Sequence, residues 1–209
     1  MKNWVILLVG LTILFSCTAK INESINIEPN SKINKDLNTV NGNIIIGENS
    51  IIKGDLRSIN GRIELGANSE VEDIKTVNGQ VVVETGARVK EGITVINGSI
   101  KIKPDAVVNK DVSAINGSIR VTKARILGDL ETANGDIFLE RRAEVFGSIV
   151  IKGKSKQEDK RKVEIFINQG SEVKGNIENE SKNTRVMVYL DDSSKIEGDV
   201  INAELVYEK

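Results

Sequence analysis

No histidine occurs anywhere in the 209 residues. That removes the usual general base, the commonest metal ligand, and the Ser-His and Cys-His nucleophile arrangements. Aromatic residues make up only 3% of the chain and proline occurs twice, whereas glycine occurs 18 times. The apolar content is therefore aliphatic, which suits many short Val/Ile strands joined by tight turns and predicts an all-β fold. The formal charge is −1 and no long basic stripe runs along the body, so the electrostatic footprint of a nucleic-acid binder is missing and no nucleic-acid partner is expected. No phosphate-cradling glycine loop or calcium-loop signature appears, and neither a cofactor nor a metal is expected.

Cysteine occurs once, at Cys17. Lys2 supplies a positive start, residues 5–15 an apolar stretch shorter than a membrane span, and Leu14-Phe15-Ser16-Cys17 a cleavage site. This stretch resembles the bacterial lipobox, in which the thiol is lipidated and becomes the new N-terminus. The resemblance implies a signal peptide over 1–16, a lipidated end and short tether over 17–23, and an exported body over 24–209. The body has no cysteine, so packing and hydrogen bonds alone must hold it. Thr18 is not the Asp associated with inner-membrane retention, which favours the outer membrane, facing the periplasm.

Internal periodicity carries most of the information. Asn-Gly recurs at Asn41, Asn60, Asn78, Asn97, Asn116 and Asn134, in steps of 18 or 19 residues. Each unit opens with an apolar pair at i, i+2, such as Ile44/Ile46 or Ile100/Ile102. A small residue (Ser50, Ala106) follows, then an aliphatic one two places on (Ile52, Val108), then a turn column running from Asp36 and Asp55 to Asp199. A third strand leads through Val40, Ile59, Val77, Ile96, Ile115 and Ala133 into Asn-Gly. Three strands and three turns in 18–19 residues are too few for a propeller blade or a leucine-rich unit, and match one coil of a single-stranded parallel β-helix. Nine coils are expected, making a rod of roughly 40 Å at ~4.8 Å per coil. The asparagines would form a structural ladder at one corner, with glycine supplying positive φ. The rival reading of that corner is a flat Thr-x-Asn array, from Thr39/Asn41, Ser58/Asn60, Thr76/Asn78 and Thr132/Asn134, loosely like ice-binding β-helices.

The repeat is interrupted twice, by inserted loops expected at 152–162 and 179–185. The first carries Lys152, Lys154, Lys156, Lys160, Arg161 and Lys162 against Glu158 and Asp159, a solvated charge run or a contact for anionic headgroups or an acidic polymer. Between inward positions of the first strand, Phe138, Phe166 and Tyr189 point outward in successive coils, a candidate contact patch for a glycan or an envelope protein unless the loops cover it. Asp191-Asp192 is a paired carboxylate of the kind that polysaccharide-cleaving β-helices use. Its neighbouring side chains diverge and no other acid converges on it by register, so a turn is expected and no enzymatic activity.

The run IIIGENSIIKGDL at 44–56, with its echo ARILGDL at 124–130, resembles the coil motif of bactofilins, polymer-forming bacterial cytoskeletal proteins. The resemblance extends over roughly residues 24–203. It implies a right-handed, three-sided β-helix that polymerises end to end without nucleotide. Typical bactofilins lack an export signal, and the Asn-Gly corner is similar to that of cell-surface adhesin β-helices. Two roles are expected: a lipid-tethered, non-enzymatic scaffold self-associating through its ends, or a monomeric module presenting the aromatic patch and basic loop.

Overall fold

A computed structural model describes residues 20–153 and 161–208. The expected lipidation site Cys17 and three of the loop cations, Lys154, Lys156 and Lys160, lie outside the described residues. The fold is an all-β, three-sided parallel β-helix of about nine turns. Its first sheet has ten strands, from Ile25–Ile27 to Glu204–Glu208. The second has nine two-residue strands, from Lys32–Ile33 to Lys195–Ile196. The third also has nine, from Leu37–Asn41 to Val200–Ile201. Every strand pairs in parallel with its counterpart one coil away, without slippage: Ile44 opposes Ile63, Ile63 opposes Val81, and Val81 opposes Ile100. An 18-residue coil keeps this register because its deletion falls in a turn.

The core is one continuous aliphatic column. Ile44, Leu56, Ile63, Ile74, Ile93, Ile100 and Ile119 are fully buried, each burial stabilising the fold by roughly 1.5–3 kcal/mol. The small-residue column explains itself at the corner it occupies. Ser50 and Ser69 are buried, and the Ser50 amide donates to Ser69 Oγ at 2.9 Å; Ala87, Ala106 and Ala143 fill the same place with no exposure. A left-handed turn residue precedes this column at Asn30, Asn49, Asn68 and Asp105, with φ between 55° and 62°, a conformation that Asn and Asp tolerate.

Two expectations are corrected, one is extended and one rival reading is removed. The repeat begins before residue 24: Lys20 forms a parallel bridge to Thr39, its amide donating to Asn38 O at 3.0 Å while Val40 N–H donates to Lys20 O at 3.0 Å. A tenth first-sheet strand, Glu204–Glu208, follows the nine expected units. The insertions are not loops throughout, because Arg161–Ile167 and Thr184–Asp191 are first-sheet strands of 7 and 8 residues, paired from Arg161↔Thr184 to Ile167↔Leu190. Val163 and Val186 add one more buried pair to those already read, so two adjacent insertions with the same alternation satisfy each other's backbone groups. Finally, the hydroxyls of the Thr-x-Asn pairs point inward. Thr39, Ser58, Thr76 and Thr132 are at most 2% exposed, aligned with Val95 and Ala114, and cannot form a flat outer array.

Candidate functional site

The Asn-Gly corner is built by close backbone approach. A Cβ on Gly98 would lie 1.8 Å from Gly79 O, and one on Gly61, Gly79 or Gly117 would lie 1.9 Å from the equivalent oxygen of the coil before. Positive φ is the lesser reason for glycine, since only Gly61, Gly98 and Gly117 of the six adopt it, at 157°, 147° and 142°. With glycine at the corner, the preceding asparagines stack. Each Nδ2 donates to the Oδ1 of the coil before: Asn60 to Asn41 at 2.7 Å, Asn78 to Asn60 at 2.7 Å, Asn97 to Asn78 at 2.9 Å, Asn116 to Asn97 at 2.8 Å and Asn134 to Asn116 at 2.7 Å. The line runs one step further than its motif, because Asn41 donates to Asn22 Oδ1 at 2.7 Å. Asn22 is followed by Glu23, not glycine, and Glu23 supplies the carbonyl that a Cβ on Gly42 would strike at 2.2 Å. The segment Lys20-Ile21-Asn22-Glu23-Ser24 aligns with Val95-Ile96-Asn97-Gly98-Ser99, a signal that the missing glycine conceals. At the other end Arg161 closes the ladder by donating from Nη1 to Asn134 Oδ1.

A second ladder occupies the aspartate turn. Asp36 Oδ1 accepts Asp55 N–H at 3.0 Å, Asp111 Oδ1 accepts Asp129 N–H at 2.9 Å, and Asp129 Oδ1 accepts Ser148 N–H at 2.7 Å. Stacked like charges need counterions. Arg57 bridges Asp36 and Asp55, and Lys75 lies 2.6 Å from Asp73. Burial nevertheless raises Asp55 above the ordinary aspartate value; Arg57 opposes the shift, and the charges of Asp73 and Asp36 add to it.

Phe138, Phe166 and Tyr189 form the third column, on the outer face of the first sheet. Their rings stack with centroids 5.2 and 4.8 Å apart and planes within 8° of parallel. The Arg120 guanidinium covers the outer face of Phe138 at 4.1 Å while pairing with Glu140. The next coil places Val206 opposite Tyr189. Ring faces are thus turned toward neighbours along the rod, and the rings present edges outward, whereas recognition by stacking needs a free face. Tyr189 Oη donates to Glu164 Oε1 at 3.0 Å, and Lys162 Nζ lies 2.6 Å from the same carboxylate. Hydrogen bonds from Lys162 and then Tyr189 hold Glu164 below the usual glutamate value. Of the other described cations of the basic loop, Arg161 is engaged at the Asn134 corner and Lys152 pairs with Glu131 and Glu180.

Asp191 and Asp192 form a turn. Asp191 closes its strand and accepts Gln169 N–H at 2.6 Å, Ser193 N–H at 3.1 Å and Ser193 Oγ–H at 2.9 Å. Burial pulls its carboxyl upward, but the hydrogen bonds from Gln169, Ser194 and Ser193 outweigh it and hold the group below the ordinary value. Among the described residues no group of three or more acidic, cysteine or histidine side chains is arranged to hold a metal. A surface hollow of about 600 Å³ lies around Asn179, Ser181, Thr184 and Asn202. Its polar groups satisfy one another: Asn179 Nδ2 donates to Thr184 O at 2.9 Å and Asn202 O at 3.1 Å, and Ser181 N–H donates to Asn179 Oδ1 at 2.9 Å. Comparison of the chain with family models, with curated proteins and with solved structures finds no match.

Proposed function

We propose that this protein is a non-enzymatic, lipid-tethered rod of the bacterial cell envelope, held at the periplasmic face of the outer membrane through Cys17. The lipobox-like Leu14-Phe15-Ser16-Cys17 supports the tether, and the bonding of Lys20 and Asn22 into the first coil carries the reading of an upright rod. Cys17 lies three residue steps before Lys20, a span of at most about 10 Å. A lipid on Cys17 therefore brings the first coil against the headgroups and stands the rod upright, its last coil roughly 40 Å away. End-to-end assembly is then confined to the distal end. Tyr207 there occupies the inward column above Leu190 yet is 70% exposed, and Leu205, Val200 and Ile196 beside it are only partly buried. A glycan-binding role loses its main support, because the aromatic faces are occupied within their own stack.

The test is metabolic labelling of the full chain with an alkynyl fatty acid, followed by membrane flotation. Wild type should carry the label and float, and Cys17→Ser should do neither while keeping its β-sheet circular dichroism. Unlabelled wild type recovered in the soluble fraction overturns the proposal.

A further inference from the structure

One outward column of the third sheet has no polar member at seven successive levels. It runs from Ile21 through Val40, Ile59, Val77, Ile96 and Ile115 to Ala133, immediately beside the asparagine ladder. None of these residues belongs to the core or packs against it. Ile21 is 66% and Ile115 43% exposed. The other outward column of the same strands is mostly polar, with Arg57, Lys75, Thr94, Ser113 and Glu131. A solvated sheet face ordinarily carries polar residues at outward positions, so an unbroken aliphatic ridge is not explained by folding.

We propose that this ridge docks a second copy of this chain, side by side and in the same direction, about a two-fold axis parallel to the rods. The direction rests on the tether reading, since two rods standing on one membrane by their first coils can only meet in parallel. That symmetry sets each aliphatic residue against its own copy. It also sets the column of Arg57, Lys75, Thr94, Ser113 and Glu131 against the uncharged amides of the partner's ladder, so no like charges oppose one another. Each exposed amide retains one N–H and one lone pair beyond its ladder bond, and can answer a cation or a carboxylate. The contact is about 30 Å long, from seven levels at ~4.8 Å, and about 17 Å wide, from five residues at ~3.3 Å. The resulting ~500 Å² per copy falls short of the ~800 Å² of a standard interface. Docking is therefore weak in free solution and is favoured where tethering concentrates and aligns copies on one membrane.

Single cysteines at Ile59, Ile96 and Ile115 of the full chain, crosslinked in host membranes by a short bis-maleimide, test this. Parallel docking gives a dimer from each of the three and none from Lys101→Cys on the first sheet. Adding Ile96→Lys should abolish the Ile59→Cys and Ile115→Cys dimers without moving the thermal melt. A dimer at one of the three positions alone indicates antiparallel packing and overturns the proposed direction; no dimer in protein that floats with membranes overturns the ridge. If the chain does not float, the tether reading falls by itself. The same cysteines in concentrated soluble Cys17→Ser protein then decide the ridge, with dimers sustaining it and their absence overturning it.

Discussion

Between Asn22 and Asn134 each coil is joined to the next at one corner by an exposed side-chain amide. Beyond Ser148 that corner has no Asn-Gly pair, and the first-sheet strands lengthen from 3 or 4 residues to 7 and 8. Stacked aromatics and an additional buried pair, Val163 over Val186, take over. Both regions solve one problem, how to keep identical coils in register along a rod. The first does it with directional hydrogen bonds that solvent can replace, and the second with buried and half-buried contact area that it cannot. Arg161 sits where the two meet, its strand belonging to the later solution and its guanidinium to the earlier.

The comparison is broken most severely at the glycines. Gly98→Ala drives a methyl into the backbone carbonyl of Gly79, which has no rotamer to yield, and should destabilise the protein by more than about 4 kcal/mol in urea denaturation. Gly170→Ala is the control from the later region. Its φ is 76° and the nearest atom to the new methyl is Arg142 Cγ at 3.4 Å, so the loss should be about 1 kcal/mol, from the left-handed backbone alone.

Next come the two kinds of ladder. Phe166→Ala removes the middle ring and leaves both neighbours unstacked, with an expected loss of about 2–4 kcal/mol. Asn97→Ala breaks the amide line between Asn78 and Asn116 but leaves both ends open to water, so about 1 kcal/mol or less is expected. Equal losses in the two denaturation curves would erase the distinction between the regions.

The smallest effect is in pH dependence, where the two aspartates differ in sign. Asp191 is depressed in the fold, so it contributes stability above its unfolded value near 3.8 that is lost as pH falls through its folded value. Asp55 is raised, so its contribution is complete below 3.8 and is lost as pH rises through its folded value. Melting curves between pH 2 and 7 should show Asp191→Asn flattening the acid limb and Asp55→Asn raising stability near neutrality.

Most of this arrangement was legible in the chain because a β-helix is nearly one-dimensional. A repeat of 18–19 residues with fixed apolar columns admits one stacking, and the columns read at Ile44, Ile46, Ile52 and Leu56 are the core. Less was legible wherever a residue answers a neighbour 18 or more positions away. Glu23 concealed the level at Asn22, since it stands where the six later levels have glycine. The alternation of Val40 with Thr39 did not reveal which of the two faced inward, because a buried hydroxyl column is atypical for a core. Sequence alone determined coil length, register and the identity of the asparagine and aromatic columns, all consequences of local period. Tertiary structure alone decided that the aromatic faces are spent on one another, that the two insertions pair as strands, and that an aliphatic ridge stands outward beside the ladder. Each of these depends on what lies one coil away, and the alternation of a single strand does not record it.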